Sequence, residues 1–286
     1  MTVSEFFLLF TYTSNWNIPL NLLFISIGIV YLCLTGPFAT RFANGKPVSP
    51  KKKLLFIFGL FLYYFSYGSP LAMLAHELFS MHMLQMSLLY IMMPPFLLLG
   101  LPSWFFRPFM RFTVIGQVGH FFTKPIVILF IFNGAISLYH IPQVFDFLMS
   151  DMIYHLVSHL VLLALALCMW WPVVCPIPEL DRVDPLHKLG FIFANGVLLT
   201  PVCALIIFAD QPLFSTFQEM SKVVPLMSPL RDQVLGGVIM KIVQEFVYIT
   251  AIGFVFAKWF RIQREKDEQE MLEWQQGEVS VVGKKQ

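Results

Sequence analysis

The sequence predicts an all-α integral membrane protein: a seven-transmembrane-helix bundle with its N-terminus outside and its C-terminus cytoplasmic. Composition is the first reason. Hydrophobic residues make up 57% of the 286 and charged residues 13%, and the mean hydropathy is +0.72. A soluble domain keeps roughly a quarter of its residues charged, so most of this surface must face lipid. The second reason is patterning. The apolar residues gather into continuous runs without the inside/outside alternation of a membrane barrel, which favours helices.

The spans fall near 18–38, 54–74, 81–101, 125–141, 152–172, 189–209 and 234–257. Most reach the roughly 17–25 residues that a bilayer demands, and the fourth is at the lower limit. No cationic region precedes the first run, where residues 1–20 carry only Glu5, so that span is expected to direct its own insertion. Lys and Arg set the orientation. Segments 39–53, 102–124 and 173–188 and the tail from 258 hold sixteen of them, whereas Lys222 and Arg231 are the two on the other side. That bias places the sixteen in the cytoplasm and puts Trp170-Trp171 at the inner interface. One membrane domain, 1–257, and a charged cytoplasmic tail, 258–286, are expected, with no internal repeat. The formal net charge of +2 and the lack of a basic, aromatic-interleaved stripe argue against a nucleic-acid partner. Cys33, Cys168, Cys175 and Cys203 form no CxxC pair and lie in or beside apolar runs, so no disulfide framework is expected.

Topology turns the seven histidines into a pattern. His120 and His187 fall in inner loops among charges and read as solvated. The other five map to the outer face: His76 and His82 flank the turn between spans two and three, His140 closes span four, and His155 and His159 open span five. His155 and His159 are spaced i, i+4 and project from one helix face. His82 and Met86 repeat that spacing, and Tyr90 and Met93 extend the stripe. Imidazole suits copper and zinc, while thioether sulfur selects Cu(I). A zinc hydrolase would more often add a carboxylate and keep a water position open.

Plainer readings stand beside this one. An intramembrane His such as His140 is commonly a helix–helix hydrogen-bond partner, and methionines such as Met73, Met92 and Met93 commonly fill core gaps. Two facing histidines would also suit the axial positions of a heme. Lys241 and Glu245, i, i+4 in span seven, neutralise each other or line an ion path. Pro94-Pro95 is expected to kink or break span three, because two backbone donors are missing there. Cys168 and Cys175, at the inner end of span five, read as structural thiols.

The run Phe79-Ser80-Met81-His82-Met83-Leu84-Gln85, then Pro94-Pro95 and Leu99-Gly100-Leu101-Pro102, resembles the CtaG family of caa-type cytochrome oxidase assembly factors. So do His155-x-x-x-His159 leading to Trp171-Pro172 and Pro176, and Pro229-Leu230 with Asp232-Gln233, Gly236-Gly237 and Met240. The likeness spans roughly residues 18–257. It implies a seven-helix plasma-membrane protein that matures a heme-copper oxidase by handling copper. Relatives carry a histidine directly after the glutamine; here Met86 keeps a soft ligand but departs from an all-histidine site.

The expectation is therefore a bacterial plasma-membrane assembly factor, not an enzyme, that binds and delivers copper, as Cu(I), at the outer face. The expected ligands are His82, Met86, His155 and His159, then His140 and His76. An oxidase subunit or a copper donor protein is the expected partner. A b-type heme protein of electron transfer is the alternative, and a transporter using Lys241 and Glu245 the third reading, although transporters often show duplicated halves. No Ser/His/Asp set, phosphate loop or paired-carboxylate motif stands out.

Overall fold

The computed structural model describes residues 7–42, 45–110, 119, 121–220 and 227–283. Arg111, His120, Lys222, Lys284 and Lys285 lie outside them. Among the described residues the chain is helical and contains no strand. In order, the helices are α1 (Ile18–Thr35), α2 (Pro50–Gly68), α3 (Pro70–Glu77), α4 (Phe79–Ser87), α5 (Met93–Gly100), α6 (Ser103–Met110), α7 (Pro125–Tyr139), α8 (Pro142–Met149), α9 (Met152–Val174), α10 (Pro185–Ile207), α11 (Ser215–Met220) and α12 (Pro229–Gly283).

Among the described residues, five helices are long and apolar enough to cross a membrane: α1, the continuous Phe79–Gly100, α9, α10 and the first part of α12. Two bent pairs, α2 with α3 at 52° and α7 with α8 at 75°, bring the number to as many as seven. At 1.5 Å per residue, the 23-residue α9 and α10 each reach about 35 Å, beyond the roughly 30 Å hydrocarbon core. The chain is a multi-pass membrane protein. Its apolar residues also face outward: Ile25, Ile29, Leu156, Leu160, Phe246 and Phe254 are all at least half exposed, a belt that suits acyl chains.

Local chemistry explains the breaks. Asn17 caps α1 by accepting the Leu20 amide at 3.1 Å. The expected span 54–74 bends instead of running straight. Pro70 has no amide to continue α2, Ser69 Oγ accepts the Leu71 amide at 3.1 Å, and the freed Gly68 carbonyl accepts the Asn17 amide at 2.9 Å. The expected break at Pro94-Pro95 takes another form. A π-helical turn, Leu88–Met92, precedes them, and the helix runs through the prolines without a break from Phe79 to Gly100, the wider turn accommodating the donors they lack.

Two glycines set close approaches. A Cβ on Gly100 would lie 2.5 Å from Phe56 Cβ, and one on Gly236 would lie 2.6 Å from Phe79 Cδ1. The first lets α5 touch α2; the second lets α12 touch the start of α4. Polar side chains join the other helices: Asn133 Nδ2 donates to Asn195 Oδ1 at 2.8 Å, and Gln244 Nε2 to the Gly196 carbonyl at 3.2 Å.

Charges gather at the end opposite the histidines, where Arg107 pairs with Glu179 at 2.5 Å and Lys188 with Asp181 at 2.7 Å. His187, beside Asp184, is solvated as expected. Trp170 differs from its expected interfacial place: it is buried against Tyr248, while Trp171 meets Phe106. Lys241 and Glu245 neutralise each other at 2.6 Å, and Lys241 also donates to Thr200 at 2.8 Å. All four cysteines are free. Helix α12 continues unbroken past 257, so the charged tail is an extension of the last helix.

Candidate metal centre

Three elements deliver the histidines to one end of the bundle. His82 lies in the first turn of α4. Asp232, at the start of α12, fixes that turn: its carboxylate accepts the amides of Phe79 at 2.7 Å and Ser80 at 3.2 Å. These are among the donors that a helix start leaves unpaired. Gln85, one turn further, donates to the Ser66 carbonyl at 2.7 Å and ties α4 to α2. Helix α9 begins at Asp151, which caps Ile153 at 2.7 Å, and presents His155 and His159 one turn apart. His76 comes from the last turn of α3.

His82, His155 and His159 each offer a ring nitrogen within 4.8 Å of the other two. Ring centroids are 4.2 Å apart for His155–His159, 5.7 Å for His82–His159 and 6.0 Å for His82–His155. His76 adds to this set, with its ring 5.5 Å from that of His155. Access is graded: His76 is exposed, His155 half-buried, and His82 and His159 are buried.

Three tyrosines surround His159. Tyr90 Oη lies 2.6 Å and Tyr67 Oη 3.0 Å from Nδ1. Tyr139 Oη lies 3.3 Å from Nε2 and also 3.1 Å from His82 Nε2, so one hydroxyl bridges both rings. Phenols at Nδ1 fix the ring's orientation and leave Nε2 directed at the cluster, the arrangement that outer-shell partners give metal-binding histidines. Tyr90 belongs to the π-helical turn; such turns are frequent at functional sites.

His140 stands apart. Its Nδ1 is 2.7 Å from the Ile136 carbonyl within its own helix, and its ring meets Tyr139 at 5.4 Å. Met86 is fully buried within the core cluster, one helical turn beyond His82. Phe145 and Phe217 wall His82 on the remaining side, at 5.5 and 5.8 Å. Asp146 anchors that wall by accepting from the backbone and hydroxyl groups of Ser215 and Thr216.

Buried polar atoms test whether this set suits a metal. His155 Nε2, His140 Nε2 and Glu77 Oε2 have no hydrogen-bond partner among the described residues. A buried nitrogen lone pair without a donor is costly, and coordination would satisfy it. A heme fits less well. With two histidine ligands its axial imidazoles stand on opposite faces of the macrocycle, but His155 packs directly on His159, their ring centroids 4.2 Å apart.

Sequence reasoning about ligands passed over Asp232, which entered only as part of the resemblance, and Tyr67 and Tyr139. Tyrosine in a membrane chain reads first as an interfacial anchor. A phenol facing a histidine on another helix leaves no local pattern to read.

A search of curated proteins finds no match to the chain, and a search of solved structures finds none. The model of the family described as cytochrome c oxidase caa3 assembly factor (Caa3_CtaG) matches residues 29–262. That match covers most of the chain and includes His76, His82, Met86, His140, His155 and His159, so the chain belongs to the caa3 cytochrome c oxidase assembly factor family.

Proposed function

We propose that this assembly factor binds Cu(I) between His82, His155 and His159 and hands it to an oxidase subunit, or receives it from a copper donor protein, at the outer face. In this reading the chain crosses the bacterial plasma membrane seven times, N-terminus out and C-terminus in, and is not an enzyme. The observation that carries the proposal is the convergence of three imidazoles from two helices, with three phenols orienting them. Neutral imidazole suits copper, and a thioether one turn away adds softness for the cuprous ion.

Transfer then needs only ligand exchange. His76, exposed, and His155, half-buried, offer successive nitrogen ligands between the surface and the buried pair. The tyrosines hold His159 against rotation, and the phenylalanine wall keeps bulk water from the inner ligands. Met86 lies behind His82 as a soft neighbour. His140 serves the packing of the Tyr139 ring.

Metal analysis of protein purified under reducing conditions tests this reading. Copper retained by the wild type and lost from His155→Ala and His159→Ala is the expected result. A Soret band in the purified protein, or copper content unchanged by both substitutions, would contradict it.

A further inference from the structure

A cavity of about 210 Å³ opens between α1, α2 and α9, on the flank of the bundle. Leu156 and Leu160, half-exposed on α9, line it together with Leu20, Phe24 and Leu163. Tyr63, Tyr67, Tyr90 and His159 line its floor. The lining is otherwise apolar, and it contains no Lys or Arg.

Hydroxyl bookkeeping on the floor does not close within the protein. Tyr67 and Tyr90 both point at the same nitrogen, His159 Nδ1. If that nitrogen carries a lone pair, it accepts one phenolic proton well, and 2.6 Å favours Tyr90. If it carries a proton, it donates to the phenol oxygens and both phenolic protons are left over. In either tautomer at least one of these two O–H groups, both on residues that line the cavity, has no acceptor among the described residues. Tyr63 Oη likewise makes no hydrogen bond among the described residues, and its ring lies 5.3 Å from that of Tyr67 and 5.3 Å from that of Phe24.

We infer that this cavity binds the head ring of a membrane quinone, with carbonyl oxygens accepting from Tyr67 and Tyr63. Three features select that chemistry. Surplus donors call for an acceptor, and a quinone carbonyl is one without a proton of its own. The rings of Phe24, Tyr63 and Tyr67 in the lining suit a flat ring. The volume falls below the roughly 300 Å³ of a full ligand pocket, so it holds a head ring while an isoprenoid tail leaves between Leu156 and Leu160 into lipid. A phospholipid phosphate has no cation to meet here. The site uses the Nδ1 side of His159 and stands whether or not copper binds the Nε2 side.

The test uses full-length, chelator-washed protein in phospholipid nanodiscs, with a photoreactive azido-naphthoquinone carrying a short isoprenoid tail as the probe. Expected is saturable labelling of α2 and α9 peptides, displaced by unlabelled naphthoquinone. Tyr67→Phe keeps the ring and removes one donor, and should weaken binding about tenfold, the upper range for a neutral hydrogen bond. Leu163→Trp, which fills the cavity without touching the hydroxyls, should abolish labelling. Labelling that rises linearly with probe, resists displacement and ignores both substitutions would overturn the inference. So would native mass spectra in which the cavity retains phospholipid alone when quinone is in excess. Copper content, measured separately on the same variants, keeps the metal reading distinguishable: quinone binding without copper refutes only the latter, and the converse refutes only this inference.

Discussion

Asp232→Ala is the most informative structural perturbation. The Asp232 side chain is 1% exposed, and its two oxygens accept the Phe79 and Ser80 amides. Alanine strands both donors at a helix start that water does not reach. Each stranded donor costs about 1–3 kcal/mol, so the loss is about 2–6 kcal/mol, at or above the usual range for a helix cap. The first turn of α4 should then fray, and His82, three residues beyond Phe79, should lose its register with His155 and His159. Asp232→Asn keeps one carbonyl oxygen and should lose about half as much. The assay is thermal unfolding in nanodiscs alongside copper retention under reducing conditions. The order wild type, Asn, Ala should hold in both readouts. An Asp232→Ala protein that melts with the wild type and retains its copper would refute the claim that this carboxylate positions the metal ligand.

Other outcomes follow from the same geometry. Tyr90→Phe removes the shorter hydrogen bond to His159 Nδ1 and should lower copper affinity about 10–100-fold, as loss of outer-shell partners does; equilibrium competition with a Cu(I) chelator reads this. Met86→Leu conserves volume in the core and should cost less than about 1.5 kcal/mol, while reducing Cu(I) retention more than Cu(II) retention because only sulfur is lost. Equal retention in both oxidation states would show that the Met86 thioether contributes nothing to Cu(I) binding. A cytoplasm-active reporter fused at the end of α12 should function, and activity there from a reporter that works only outside would overturn the orientation.

Much of the architecture was legible because lipid enforces it. A helix in a bilayer must satisfy its own backbone, so apolar run length alone located α1, α9 and α10. The bend at Ser69 was not legible, since proline is as welcome in the first turn of a new helix as it is disruptive inside an old one. The π-helical turn before Pro94 was not legible either, because nothing in the apolar run marks where the helix widens. Within the site, His155 and His159 announced themselves by one-turn spacing on a single helix. Their approach to His82 needed topology, which the charge bias supplied as an expectation. Asp232 and Phe79 are separated by more than 150 residues, and nothing in either neighbourhood names the other. Trp170 shows the opposite failure: a tryptophan near a helix end reads as an interface anchor, yet Tyr248 covers it in the core.

The central claim is that the histidine cluster carries copper to the oxidase, and the copper content of the client tests it most directly. A cytochrome oxidase matured in cells whose only assembly factor is the His155→Ala, His159→Ala double variant should be purified and its copper-to-heme ratio measured. His187→Ala, on the solvated opposite end, serves as the control. An oxidase deficient in copper with the double variant and fully loaded with the control is the expected result, both variants being present in the membrane at wild-type level. A fully copper-loaded, active oxidase from the double variant would contradict it.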